Sequence, residues 1–239
     1  MSRLPDIPSR AADGPVLSLS GLTKAYGGAG AHALFRDVDR ELQAGAYVAI
    51  RGESGVGKST LLNLIAGLDR PDAGRVRVDG IDLAALDDDA RTLLRRVRMG
   101  FVFQAFHLLP HLTVAQNTAL PLRIAGARPS IGAERALAVL ASVGLAALAG
   151  RYPRTLSGGE IQRAAIARAL VHEPRLILAD EPTGNLDAET AGTVLSLLRD
   201  AVKRSGGAGI LVTHSARAAA TADRTYVLTA RGLAPQDDA

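Results

Sequence analysis

Runs of four or five apolar residues recur along the chain, each stopping at a glycine, an acid or a small polar residue. Ala46-Tyr47-Val48-Ala49-Ile50, Met99-Gly100-Phe101-Val102-Phe103 and Leu176-Ile177-Leu178-Ala179 are of this kind, and strands are also expected over 209–213 and 225–228. An apolar run this short predicts a strand buried on both faces, as in a parallel sheet covered by helices. Elsewhere apolar and polar residues alternate, over 37–42 and in Arg75-Val76-Arg77-Val78, which predicts half-exposed strands. A short strand is expected at 16–19 and a turn at 24–28. Helices are expected over 60–66, 87–96, 161–172, 187–203 and 215–222, with Gly67 stopping the first. The stretch 105–158 carries no strand signal; helices should start at Thr113 and near Ala133, and Gly144 should stop the second. The whole reads as a wound α/β pattern with an antiparallel β edge early and an α-helical subdomain inserted midway. Residues 1–15 are expected as a disordered leader and 234–239 as a loose tail.

Composition narrows this picture. The 239 residues suit one large domain or two intimate ones. Aromatics make up only 3%, so the core must be built from Leu, Val, Ile and Ala. The absence of cysteine excludes disulfides, a thiolate nucleophile and Cys-ligated zinc. The charge of +4 and pI near 9.8 are mildly basic. Basic residues cluster at Arg91 and Arg95-Arg96-Val97-Arg98, but no aromatics interleave, so no direct nucleic-acid partner is expected. The alanine- and leucine-rich run 136–150 is shorter than the ~20 residues of a membrane span, and the N-terminus lacks a secretory apolar region.

The candidate chemistry begins at Gly52-Glu53-Ser54-Gly55-Val56-Gly57-Lys58-Ser59, which fits G-x-x-x-x-G-K-[ST] between an expected strand and an expected helix. Glycines let backbone N–H groups turn around an anion, and the helix start adds unpaired N–H groups. Lys58 is expected to reach the β- and γ-phosphates and Ser59 to hold Mg²⁺. The buried run 176–179 ends in Asp180-Glu181, at the sheet edge where α/β ligands sit. Asp180 suits Mg²⁺, and Glu181 suits the proton of an attacking water. A second glycine-bearing helix start is Ser157-Gly158-Gly159-Glu160, where Ser157 and Glu160 are spaced as a capping box.

The stretch Leu156-Ser157-Gly158-Gly159-Glu160-Ile161-Gln162-Arg163 resembles the signature sequence of ATP-binding-cassette ATPases, which reads LSGGQ and variants. The order of motifs fits that family over 16–233: phosphate loop, Gln104 ending a strand, signature, paired acids, a D-loop at Asn185-Leu186-Asp187, and a switch histidine, His214. The resemblance implies a P-loop NTPase with a RecA-like core, an antiparallel β edge subdomain and a helical insert. It implies two copies paired head to tail, with ATP and Mg²⁺ between one copy's phosphate loop and the other's signature. Tyr26 would stack on adenine and Thr60 would assist at the α-phosphate. Gln104 would approach Mg²⁺ and the lytic water. Glu181 would be the general base and His214 would hold the γ-phosphate. Ser157, Gly158 and Gly159 would act from the partner copy, and Asp187 would report across the dimer.

Phe101-Val102-Phe103-Gln104-Ala105-Phe106-His107-Leu108-Leu109-Pro110 and Ala179-Asp180-Glu181-Pro182-Thr183-Gly184-Asn185-Leu186-Asp187 are similar to stretches of the lipoprotein-releasing and macrolide-efflux branch. That implies a separate permease with about four spans, and a peripheral place at the cytoplasmic membrane face. Phe106, Leu108 and Leu109 are the candidate groove for the permease's coupling helix. The chain departs from the branch at Ser215, where an acid is usual, at Arg51 and Glu53, and at Gln116-Asn117-Thr118. Two other readings stand beside this one: an ATP-dependent regulator of a cell-envelope or cell-division complex, and a soluble cassette ATPase acting on nucleic acid.

Overall fold

The computed structural model describes residues 14–26 and 32–236. Residues 1–13 of the expected leader therefore lie outside the described residues. Two sheets organise the rest. The first is antiparallel, in the order β2-β1-β4-β5, from β1 (Leu17–Tyr26), β2 (His32–Leu42), β4 (Ala73–Val78) and β5 (Ile81–Asp82). The second has the order β10-β9-β3-β8-β7-β6, from β3 (Tyr47–Arg51), β6 (Met99–Phe103), β7 (Leu176–Asp180), β8 (Ala208–Val212), β9 (Arg224–Thr229) and β10 (Gly232–Pro235). Its strands are parallel except β10, which returns antiparallel to β9.

The alternation of side chains along the buried strands makes two cores. Val48, Ile50, Leu176, Leu178, Ile210 and Val212 pack on one side, with α1 (Lys58–Ile65) and the inner face of the antiparallel sheet. Tyr47, Val102, Ile177, Ala179 and Leu211 pack on the other, with α5 (Gly158–Leu170) and α6 (Ala188–Ser205). This is why those runs are apolar throughout: consecutive residues enter opposite cores. Residues 105–158 contain α3 (Val114–Ile124) and α4 (Pro129–Ser142), which pack on the far side of α5 through Val114, Leu140, Ala164 and Ala167. The alanines of α5 let it sit between two layers, with Ile166 and Ala169 in one and Ala164 and Ala167 in the other.

Several elements differ from the sequence reading. The expected turn at 24–28 is strand as far as Tyr26, because β1 continues through register shifts after Leu19 and pairs Lys24 with Phe35. A bulged strand of this kind breaks the alternation that would announce it. Helix α4 starts at Pro129, where proline's fixed φ suits a first turn, rather than near Ala133. Strand β10 occupies the start of the segment expected as a loose tail; Leu233 pairs with Leu228 and packs against the core. The short α7 (Ala216–Ala219) ends sooner than expected.

The basic cluster lies on α2 (Asp88–Arg98) and is largely committed to the fold. Arg95 donates to the Ala66 and Gly67 carbonyls that end α1, and Arg91 pairs with Asp88 at 3.1 Å. Arg98 and Arg175 converge on Asp79, at 3.6 and 3.3 Å, in the tight turn between β4 and β5. The Asp79 side chain is 3% exposed, so this ion group ties the antiparallel sheet to the starts of β6 and β7. Removing one partner of a buried ion group leaves unpaired buried charge. Asp79→Ala should lower the unfolding free energy by about 3 kcal/mol in urea denaturation, and a loss below about 0.5 kcal/mol would show the group to be inert.

Candidate active site

The register of the parallel sheet places its chemistry in one row. Phe103 pairs with Asp180, Asp180 with Val212, and Val212 with Ile50. The residues that follow Phe103, Asp180, Val212 and Ile50 are all polar, Gln104, Glu181, Thr213 and Arg51, with Asp180 itself the first polar residue of β7. The ladder runs one step further, with the Glu181 N–H on the Val212 carbonyl at 2.9 Å and the Thr213 N–H on the Ile50 carbonyl at 3.1 Å. Glu181 sits at φ 45°, a left-handed conformation uncommon for a non-glycine residue, which turns the chain off the strand at this point.

Beyond β3 the chain forms the glycine loop. Gly52 has φ 157°, and an added Cβ there would lie 2.7 Å from the Leu228 carbonyl oxygen, so only glycine fits. Gly57 is the N-cap of α1, and no side chain caps that helix. Its first amides are thus left to a ligand, at the positive end of the helix dipole. Lys58 Nζ donates to the Gly52 and Glu53 carbonyls, both at 2.8 Å, leaving its third N–H for a phosphate. Desolvation lowers the Lys58 pKa, and the Glu181 and Asp180 carboxylates pull it back up.

A cleft of about 400 Å³ gathers Ser54, Gly55, Gly57, Lys58, Ser59 and Thr60 from the loop with Asp180, Glu181 and His214 from β7 and the segment after β8. Leu34 of β2 completes its wall, and nothing in its isolated place in the sequence signals this. Gly52, Glu53 and Val56 belong to the loop without lining the cleft; their part is the two carbonyls on Lys58 and the packing of Val56 on the core. Ser59 Oγ donates to Asp180 Oδ2 at 2.9 Å. The Glu181 carboxylate accepts from the His214 N–H at 2.7 Å and from the Thr213 hydroxyl at 3.2 Å. The His214 ring is exposed, with Nε2 3.7 Å from Glu181 Oε1. Each Glu181 oxygen keeps a lone pair for a further donor.

Gln104 is set back from the cleft walls. Its Nε2 donates to Asn185 Oδ1 at 3.3 Å, and Asn185 Nδ2 donates to the Gln104 carbonyl at 3.2 Å. Ser157, Gly158, Gly159 and Asp187 also lie apart from the cleft, and together. Ser157 caps α5 in a full capping box, with the Ser157 N–H on Glu160 at 2.8 Å. These bonds hold the Glu160 carboxyl below its usual range. Asp187 caps α6 by accepting from the Glu189 and Thr190 N–H groups, which lowers its own pKa, Thr190 contributing most. An added Cβ on Gly159 would overlap Thr190, so glycine is what lets these two helix starts abut. The Tyr26 side chain lies outside the described residues.

The departures noted in the sequence have local roles. Ser215 caps α7 through Ala218 N–H at 3.2 Å, as an acid there would. Gln116 completes a capping box with Thr113, and the buried Asn117 amide holds Leu109, Leu112 and Thr113. Arg51 reaches Gln236 at 3.4 Å.

The groove expected at Phe106, Leu108 and Leu109 is not where the apolar cleft lies. Leu108 packs on the core of the helical segment. A cleft of about 500 Å³ instead opens between α2, β6 and α3, walled by Leu68, Phe101, Phe103, Pro121 and Ile124. Leu68 and Ile124 are 58% and 53% exposed. The sequence did not signal it because its wall comes from four separate stretches.

Thr213 is the residue whose part the sequence concealed; it is fully buried and is the first polar group after an apolar strand. Its hydroxyl orients the carboxylate expected to take a proton. Thr213→Val keeps the shape and removes the charge-assisted hydrogen bond to Glu181 together with the one accepted from the Ser215 N–H at 3.1 Å, so ATP hydrolysis should fall about tenfold with ATP affinity unchanged. Steady-state kinetics beside direct binding tests this, and an unaltered kcat would remove Thr213 from the site.

Comparison with known proteins agrees with the geometry. Residues 35–184 match the family model described as ABC transporter. The chain is 49% identical over 216 residues to a lipoprotein-releasing system ATP-binding protein LolD of Anaeromyxobacter dehalogenans, covering 90% of each chain. It is 47% identical over 205 residues to a methionine import ATP-binding protein, MetN 2, of Burkholderia mallei, covering 85% of this chain and 52% of that one. Among solved structures it resembles the dimeric ATP-binding cassette MJ0796 in a post-hydrolysis state bound to ADP and Pi, with TM-score 0.81 and 38% identity over 91% of this chain and 96% of that one. Among the described residues no helix is long and apolar enough to cross a membrane. The glycine loop, the row of acids at the sheet edge and these likenesses place the chain in the ABC transporter family, as an ATP-binding ATPase subunit.

Proposed function

We propose that the chain hydrolyses ATP to drive a separate export or force-transmitting permease of about four spans, from the cytoplasmic face of the membrane, by closing head to tail on a second copy of itself. The observation that carries this reading is the division of the motifs. The cleft holds Lys58, Asp180, Glu181 and His214, while the signature helix start and Asp187 stand together on a separate, exposed patch. In this reading a nucleotide seated on Lys58 meets that patch on another copy.

Within one cleft the roles divide by chemistry. The loop amides, Lys58 and Thr60 bind the phosphates, and Tyr26 stacks on the adenine. Ser59 and Asp180, whose oxygens lie 2.9 Å apart, would hold Mg²⁺, with Gln104 approaching from its place on Asn185. A small hard cation takes one or two carboxylates and completes its shell with water and phosphate, which suits this sparse donor set; there it would neutralise phosphate charge. Water attacks the γ-phosphorus in line, its proton passes to Glu181, and the bond to the ADP oxygen breaks. His214 donates to a γ-phosphate oxygen. From the partner, Ser157, Gly158 and Gly159 offer the hydroxyl and amides of a helix start to the same phosphate, and Asp187 lies at the seam.

The apolar cleft beside Phe103 is the seat for a permease helix. Its exposed Leu68 and Ile124 supply apolar contact, and Arg96 on its rim supplies positive charge.

Glu181→Gln keeps the shape and loses the base. It should bind ATP with native affinity, hydrolyse it at least about a hundredfold more slowly, and elute as a dimer only with ATP. Native hydrolysis in that variant, or a monomer at saturating ATP, would contradict the scheme.

A further inference from the structure

Between Gln104 and the helical segment the backbone is strained. Phe106 and His107 both have positive φ, 58° and 49°, though neither is glycine and consecutive residues of this kind are rare. No backbone ladder holds this segment; β6 ends at Phe103 and α3 begins at Val114. Local turns bond the Phe106 N–H to the Phe103 carbonyl and the His107 N–H to the Ala105 carbonyl, and Asn117 holds Leu109 and Leu112; the one side chain on the Phe106 and His107 carbonyls is that of Arg168. Arg168, in the third turn of α5, donates through Nη2 to the Phe106 carbonyl at 2.8 Å and through Nη1 to the His107 carbonyl. A planar guanidinium can grip two adjacent carbonyls at once, which an ammonium cannot do with the same geometry.

The clamp sits where three features meet. On one side Gln104 is pinned by Asn185, four residues from Glu181. On the other, Arg168 belongs to the helix that Ser157 caps, eleven residues earlier in the chain. Arg168 also lines the apolar cleft. Gln104 is thus suspended between an anchor on the acid loop and an anchor on the signature helix.

We infer that Arg168 is a positioning residue for hydrolysis: by holding Phe106 and His107 in their left-handed conformation it fixes the course of the chain that carries Gln104, and with it the place from which Gln104 approaches Mg²⁺ and the lytic water. The inference rests on the reading of Gln104 as part of the hydrolytic site. Without the clamp the two residues return to the ordinary backbone region, and the peptide that carries Gln104 rotates with them. ATP binding, which uses the glycine loop, does not depend on this. Hydrolysis does. A helix seated in the apolar cleft lies against the same guanidinium, so the clamp stands directly between the proposed permease seat and Gln104.

The test uses the full chain alone, with ATP and Mg²⁺. Arg168→Gln should lower kcat about tenfold while the ATP dissociation constant, measured by calorimetry, stays within about twofold. Arg168→Lys should fall between the two. The discriminating variant is His107→Gly, since glycine adopts the left-handed conformation without help. In the native background it should leave kcat within about twofold; combined with Arg168→Gln it should recover most of the lost rate. A role of Arg168 in packing α5 would not be rescued by a glycine at position 107, which is outside that helix. The inference is overturned if Arg168→Gln leaves kcat unchanged, or if His107→Gly fails to recover it. Should Arg168→Gln not fold, as its melting curve would show, the Arg168→Lys and Arg168→Lys/His107→Gly pair decides by the same comparison. Either failure leaves the Glu181→Gln result intact, so it is separable from failure of the general-base scheme.

Discussion

A strand buried on both faces can carry no polar side chain until it ends, and this constraint organises the molecule. β3, β7 and β8 pass between two cores, one made with α1 and the antiparallel sheet and one with α5 and α6. Their hydrogen-bonded register is level, so their first polar residues emerge side by side at one edge. The acids Asp180 and Glu181, the buried Thr213 and the loop carrying Lys58 meet there because the strands end together, and β6 brings Gln104 to the same row. Apolar packing is non-directional; the ladder converts it into a placement good to a fraction of a strand spacing.

How much of this was legible in the sequence follows from the same physics. The strands β6 and β7 could be read almost to the residue, because being apolar throughout and stopping sharply is what double burial requires. The glycine loop and the capping box of Ser157 with Glu160 announced themselves by local chemistry, which needs only a few neighbouring residues. What escaped depends on distant partners. β1 runs on to Tyr26 because β2 and β4 flank it, and β10 is a strand because β9 is beside it. Thr213 and Arg168 look like ordinary residues in a strand end and a helix; only the fold sets one against Glu181 and the other against the Phe106 and His107 carbonyls. The apolar cleft between α2, β6 and α3 escaped for the same reason, since an exposed groove leaves no period in any single element.

One copy gathers the glycine loop, Lys58 and the acids in one cleft, while the capped start of α5 lies apart from it. In the proposed scheme ATP is both substrate and joint: its γ-phosphate would satisfy the loop of one copy and the α5 start of the other, and its loss would remove the joint. The apolar cleft, the Arg168 clamp and Gln104 lie on one continuous path from the outer surface to that joint. A motor subunit needs such a path, because work is done on a partner only if closure and docking share a moving part.

The most direct measurement mixes two inactive chains. Lys58→Ala removes the phosphate-binding cation and Ser157→Arg blocks the helix start; each homodimer should be dead. In a mixed dimer both defects fall on one of the two sites, and the other pairs an intact loop with an intact signature. ATP hydrolysis by the mixture should rise well above that of either chain alone, to as much as about a quarter of the native rate if chains pair at random. A mixture as inactive as its components, under conditions where the two chains are shown to associate, would contradict the account of ATP held between two copies.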